Sequence, residues 1–135
     1  MNKLRVYISH SIRGIKGSEA THDEMSANNA KAIEFCQELK VGCPDVDFYC
    51  PAEHDEFVSL AYENEILTDV QILEIDCRII NDRHLMLAWE PDKHTSNGMM
   101  VELVHAAIAG VEIAVVKTVD QAVKVINAVQ LRRLR

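Results

Sequence analysis

Two acidic residues, Asp76 and Glu102, occupy positions where a carboxyl group can do chemistry. Asp76 lies four residues after Ile72 and three and four before Ile79 and Ile80, so helical spacing places it on an apolar helix face. A carboxylate there must be paired, hydrogen-bonded or raised in pKa, because burying an isolated charge costs several kcal/mol. The alternative is a structural aspartate that is satisfied by a backbone group or an arginine.

Glu102 closes the segment Ser-Asn-Gly-Met-Met-Val-Glu, which we expect to begin a helix. A glutamate in the first turn stays ionised, because the helix dipole favours the charged form by about 0.3–1 kcal/mol. The free N–H groups of that turn, at Ser96, Asn97 and Gly98, can also hold an anionic ligand. Two carboxyl groups in different environments can act as nucleophile and proton donor, as in retaining glycoside hydrolysis. Plain complementation of the dipole is the alternative for Glu102.

The segment Ser11-Ile12-Arg13-Gly14 follows the first predicted strand and can bind an anion. The arginine supplies a planar fork of donors for phosphate, and the glycine lets the backbone approach closely. The segment is not a P-loop, since no Gly-Lys-Ser/Thr follows, and it lacks the three-glycine dinucleotide fingerprint. A solvated loop is the alternative. His54, after the second predicted strand, is equally ambiguous.

Four strands and the helices between them must position these residues. β-Branched, aromatic or continuous apolar runs predict strands over residues 4–9, 46–50, 85–89 and 113–116. Capping boxes, Thr21 with Glu24 and Thr68 with Gln71, begin two helices. Two more helices are expected over residues 98–109 and 120–131. Residues 52–56 are expected to form a loop, followed by a short helix.

This strict alternation of strand and helix predicts an α/β protein with a parallel sheet. Right-handed crossovers then place helices on both faces. Ligands of such sheets bind beyond the carboxyl ends of the strands, near the point where the strand order reverses. The loops after Ser9, Cys50 and Trp89 therefore meet at one edge, together with the candidate residues.

Composition narrows the class of protein further. A chain of 135 residues with 48% hydrophobic and 26% charged residues predicts one globular domain over residues 1–135. The formal charge of −7 argues against nucleic acid and anionic membranes as partners. The start runs directly into a strand, so we expect no signal peptide and a cytoplasmic location.

The four cysteines form no Cys-x-x-Cys pair, and we expect reduced thiols, with Cys36 and Cys77 buried. Their spacing to one another and to the six histidines does not fit structural zinc. We therefore expect neither a metal nor another cofactor.

Four stretches, taken in order, resemble the nucleoside 2-deoxyribosyltransferase superfamily, and most closely its 2′-deoxynucleoside 5′-phosphate N-hydrolases. They are residues 6–14, residues 52–54, the helix that contains Asp76, and residues 96–102. The resemblance implies a three-layer, flavodoxin-like (Rossmann-like) fold with a small parallel sheet of four to five strands and helices on both faces. It also implies a homodimer or larger homo-oligomer, and cleavage of the bond between base and sugar.

The resemblance also implies roles for individual residues. Glu102 matches the nucleophile, and Tyr7 matches a tyrosine that supports it. Asp76 matches the partner carboxyl that helps to protonate the leaving base or to position the sugar. His54 matches a histidine beside the pocket. The residues expected to bind the substrate and its 5′-phosphate are Ser11, Ile12, Arg13, Gly14, Ser96, Asn97 and Gly98.

Two of the departures from the family pattern concern the site and the sheet. His10 stands where the hydrolases have a glycine, and one helix follows the fourth predicted strand, so the family's fifth strand is not expected. We predict a hydrolase that cleaves a (deoxy)nucleoside 5′-monophosphate to free base and sugar 5-phosphate. The alternatives are a 2-deoxyribosyltransferase and a protein that binds a nucleotide or nucleotide signal without turnover.

Overall fold

A four-stranded parallel sheet forms the centre of the computed structural model, which describes residues 3–12 and 14–134 without the side chain of Ile15. The strands are β1 (Arg5–His10), β2 (Asp47–Tyr49), β3 (Leu85–Trp89) and β4 (Glu112–Val116), all paired in parallel. Their order is β2-β1-β3-β4, which is that of flavodoxin-like sheets. The predicted fold class is therefore confirmed, and strand order reverses between β1 and β3.

Five helices cover the two faces of this sheet in the described part of the chain. They are α1 (His22–Gly42), α2 (Asp55–Glu63), α3 (Asp69–Ile80), α4 (Asn97–Ala109) and α5 (Val119–Arg133). Short 3-10 segments occupy Gly14–Glu19 and Pro51–His54. The loop predicted over residues 52–56 is thus wrong. Pro51 suits the first helical position, and the acidic side chains of Asp55 and Glu56 complement the start of α2.

Alternation along β1 divides the core in two. Val6 and Ile8 pack with α1 and α5 in the larger cluster, whereas Tyr7 packs with Ile80 of α3 and Ala106 of α4. Successive strand residues point to opposite faces, so every residue of β1 belongs to one layer or the other. The strand ends at His10, one residue beyond the prediction, and this places Ser9 and His10 on opposite sides of the sheet.

Helix caps follow the sequence closely. Both predicted capping boxes form, with the Thr21 and Thr68 hydroxyls accepting hydrogen bonds from the third helical N–H group of α1 and α3. Gly110 ends α4 with φ 77°, a left-handed conformation that favours glycine. These signals fix where α1 and α3 begin and where α4 ends.

The cysteines are all buried free thiols: Cys36, Cys43, Cys50 and Cys77. The expectation that Cys36 and Cys77 are buried and reduced is confirmed. Burial raises the pKa of the Cys43 and Cys77 thiols, so both remain protonated and unreactive near neutral pH.

Candidate active site

Two hydroxyl groups of β1 hold the Glu102 carboxyl group. The Tyr7 hydroxyl donates a hydrogen bond to Oε2, and the Ser9 hydroxyl donates one to Oε1 at 2.8 Å. Tyr7 and Ser9 lie on the face of the strand that is directed toward α4. Glu102 is only 6% exposed. Because each oxygen has its own donor, the carboxyl group is fixed in position and orientation.

Burial dominates the electrostatics of Glu102. It raises the pKa of this carboxyl from 4.5 to about 7; the hydrogen bonds from Tyr7 and Ser9 oppose that rise, and the charge of Asp76 adds to it. The expectation that the helix dipole keeps Glu102 ionised is wrong. The helix begins at Asn97, so Glu102 is its sixth residue and lies in the second turn, whereas the dipole acts mainly within the first.

Asp76 is half-buried on α3, as its helical spacing predicted, and burial raises its pKa from 3.8 to about 6. Its charge also raises the pKa of Glu102 and of Tyr7, so the three groups lie within electrostatic reach of one another. Two carboxyl groups with pKa values near 6 and 7 can both exchange protons at neutral pH. The pair is therefore suited to nucleophilic and acid–base chemistry.

Tyr7 is fully buried, and desolvation followed by the charge of Glu102 raises its pKa well above 10. Its hydroxyl therefore keeps its proton and remains a hydrogen-bond donor throughout the physiological pH range. With one donor on each oxygen, from Tyr7 and from Ser9, each carboxylate oxygen keeps a second lone pair that is free to act.

An aromatic row leads from Tyr7 toward the surface. Tyr7 stacks on Tyr49 with ring centroids 5.7 Å apart, and Tyr49 stacks on the exposed His54 at 5.0 Å. The Arg83 guanidinium lies 5.4 Å from the Tyr49 centroid, with its side chain 8% exposed. The structure thus connects His54 to the Glu102 site through Tyr49, and a role for His54 beside a substrate pocket stays a prediction.

Ser9, Tyr49 and Arg83 belong to this site but were not predicted. Ser9 had a usable signal, because it follows Tyr7 by two residues in a strand and must share its face. Tyr49 pairs with Tyr7 in the β1–β2 register, which the sequence does not reveal. Arg83 follows α3 in a connecting segment, and no pattern in the sequence marks it.

The start of α4 has the predicted form. Ser96 is the N-cap residue, and its hydroxyl accepts a hydrogen bond from the Met99 N–H at 3.2 Å. Asn97 is exposed and Gly98 half-buried in the turn that follows. The Ser96 hydroxyl thus already caps the helix, and a contact from these residues to phosphate stays a prediction.

The loop after β1 faces the other side of the sheet. Its Ser11 hydroxyl accepts a hydrogen bond from the Gly14 N–H at 2.8 Å, and Asn28 of α1 donates one to the Ile12 carbonyl at 3.0 Å. Ser11 and Gly14 line a cavity of about 440 Å³ beside α1 and α5, while the Ile12 side chain is exposed. Arg13 lies outside the described residues.

No protein-family model, curated protein or solved structure matches this chain. Across residues 3–12 and 14–134 no helix is long and apolar enough to cross a bilayer. Within the same residues, histidine, cysteine and acidic side chains form no group of three or more that could hold a metal ion. The chemistry of the site is therefore what indicates the function.

Removing the Ser9 hydroxyl is expected to raise the pKa of Glu102. A hydrogen bond to a charged group contributes about 1.5–3 kcal/mol, and one pKa unit corresponds to about 1.4 kcal/mol, so Ser9→Ala should shift the value upward by about one unit or more. Carboxyl carbon-13 NMR of labelled glutamate measures the titration directly. Ser26→Ala, at an exposed position of α1, is the matched control. An unchanged titration would show that Ser9 does not stabilise the ionised form.

Proposed function

We propose that this protein is an N-glycoside hydrolase that cleaves a (deoxy)nucleoside 5′-monophosphate to free base and sugar 5-phosphate. The observation that supports this most is the buried Glu102 carboxyl, fixed by Tyr7 and Ser9, beside a second carboxyl, Asp76, of raised pKa. Retaining cleavage of a glycosidic bond needs such a pair, one group as nucleophile and one as proton donor.

In the proposed reaction, ionised Glu102 attacks the anomeric carbon while the bond to the base breaks. Asp76 protonates the leaving base, and a glycosyl ester forms on Glu102. Water then attacks the same carbon, gives up a proton to the carboxylate of Asp76, and the sugar leaves as the free 5-phosphate. The hydrogen bonds from Tyr7 and Ser9 orient the attacking carboxylate and favour its charged form.

The 5′-phosphate is proposed to lie at the sheet edge between the loop after β1 and the start of α4. Its binding residues would be Ser11, Ile12, Arg13, Gly14, Ser96, Asn97 and Gly98. This placement is supported by the backbone N–H groups that a helix start offers an anion. The edge is also the position where ligands of this fold class bind.

The protein is further proposed to act in the cytoplasm as a homodimer or larger homo-oligomer. Exposed apolar side chains at helical spacing support a second copy as the partner. Val101, Val104 and Ile108 on α4 are 46%, 51% and 82% exposed, on the same helix that carries Glu102 inward.

A panel of nucleosides and nucleoside monophosphates, analysed by chromatography for free base, tests the proposed reaction. We expect base release from monophosphates with water as the only acceptor. Release that requires a second base would identify a deoxyribosyltransferase instead. Nucleotide binding measured by calorimetry without any release would exclude both enzymes and leave a binding protein.

A further inference from the structure

The cavity of about 440 Å³ lies at the carboxyl ends of β1 and β3, where the strand order reverses. His10 and Trp89, which are paired neighbours on the two strands, line it, and Phe35 of α1 stacks on Trp89 with ring centroids 4.5 Å apart. The Trp89 indole N–H donates a hydrogen bond to the Lys117 carbonyl at 3.0 Å, which holds the ring in place. A volume of this size falls in the range of small-molecule sites.

This cavity and the Glu102 site lie back to back across the end of one strand. Ser9 reaches the Glu102 carboxyl on one face, and His10, the next residue, lines the cavity on the other. Ser11 and Gly14, which are proposed to bind the phosphate of the substrate, line the same cavity. The phosphate end of a nucleotide at Glu102 would therefore point toward the cavity.

The cavity lining suits the parts of a second nucleotide. Lys31 and Lys117 form no salt bridge with any residue that the structure describes, and both are available to phosphate. Glu34 and Glu38 lie on the α1 wall, and carboxylates at such edges accept hydrogen bonds from ribose hydroxyls. Trp89, half-buried and backed by Phe35, offers an aromatic ring on which a base can stack.

His10 also lines the cavity, and one of its ring nitrogens is unpaired within the described part of the chain. Its Nδ1 atom is buried and has no hydrogen-bond partner among residues 3–12 and 14–134. Burial also lowers the pKa of the imidazole to about 4, so the ring is neutral at pH 7 and carries one donor and one acceptor. A polar ligand in the cavity can supply the partner that the protein does not, after a rotation of the ring.

We propose that the cavity holds the second nucleoside of a dinucleotide whose first nucleoside lies at Glu102. This inference rests on the proposed function and narrows its substrate to two nucleosides joined through phosphate. Hydrolysis adds one water across the glycosidic bond at Glu102. It releases one free base and leaves a phosphate-linked product that keeps the base held in the cavity.

Trp89 is the only tryptophan of the chain, so its fluorescence reports the cavity directly. The probes are diadenosine and diguanosine pyrophosphate, compared with adenosine and guanosine 5′-monophosphate, on the Glu102→Gln variant to prevent turnover. We expect at least one dinucleotide to bind about tenfold or more tightly than its monophosphate, the scale of one additional stacked base whose own phosphate is held by Lys31 and Lys117. Lys117→Ala and Lys31→Ala should remove that advantage, whereas Lys124→Ala, an exposed α5 residue outside the cavity, should retain it.

Equal affinity for dinucleotides and monophosphates, or no saturable change with any probe, would overturn the inference. So would a dinucleotide advantage that survives both cavity substitutions. The proposed hydrolase activity has a separate readout, which is release of free base by the unmodified chain. A dinucleotide preference without base release would leave the cavity assigned and remove the hydrolase. Base release from monophosphates without a dinucleotide preference would support the hydrolase and remove the assignment of the cavity.

Discussion

Replacing Glu102 with glutamine is expected to slow the release of free base from a nucleoside monophosphate by about 10⁴-fold or more, the scale of losing a catalytic nucleophile. Glutamine has the same shape and can still hydrogen-bond with the Tyr7 and Ser9 hydroxyls, but its amide does not form the glycosyl ester. Affinity for the substrate should change little, because in the proposed reaction the carboxylate acts on the transition state. Single-turnover rates and calorimetric affinities measure the two effects separately.

The matched control is Glu56→Gln, at an exposed position of α2, which should retain the full rate. A second variant, Glu102→Ala, leaves space at the position of the carboxyl group, and added formate should restore part of its activity if Glu102 is the nucleophile. Base release by Glu102→Gln at the unmodified rate would contradict the role of Glu102. Loss of release with no rescue by formate, together with weaker substrate binding, would instead indicate a structural role.

The second large effect concerns stability. The pKa of Glu102 is about 7 in the folded chain and near 4.5 in the unfolded chain, so the folded state holds its proton more tightly. The contribution of Glu102 to stability is fully present below the pKa of the unfolded chain. It is lost as the pH rises through the pKa of the folded chain. Between about pH 5 and pH 8 it should lower the free energy of unfolding by on the order of 2–3 kcal/mol.

Urea unfolding of the unmodified chain and of Glu102→Gln at both pH values, followed by Trp89 fluorescence, measures this contribution. The difference between the two proteins isolates Glu102, because other groups titrate in both. His10 is one such group: its lowered pKa destabilises the fold as the pH falls below 6.5, the opposite direction. Glu102→Gln should gain stability relative to the unmodified chain as the pH rises. A difference that is constant with pH would show that Glu102 has an ordinary pKa.

The sequence was sufficient for the parts of the fold that depend on local pattern. Thr21 and Thr68 begin helices because their side chains satisfy free N–H groups nearby, and β3 is a continuous apolar run because both of its faces are covered. Alternation of strands and helices then determines the layers. Several strand orders are compatible with this alternation, so alternation alone does not determine the order that the sheet adopts.

The properties of the candidate site that depend on a single helix or strand could be predicted from the sequence. Those that depend on how two such elements pack against each other could not. Helical spacing was enough to place Asp76 and to indicate its raised pKa. The pKa of Glu102 depends on how deeply α4 packs against β1, and a dipole argument from its own helix gave the opposite direction. The division of the β1 end between two faces, with Ser9 at Glu102 and His10 in the cavity, required knowing that the strand continues to His10.

The four buried thiols can serve as native probes of local unfolding. A thiol reagent modifies a buried cysteine only when the surrounding structure opens, so each modification rate reports a local opening equilibrium. Cys36 lies on α1 and Cys77 on α3, on opposite faces of the sheet, so their rates compare the two layers. Since no native cysteine is exposed, one cysteine introduced on the surface could also be labelled selectively without first removing the others.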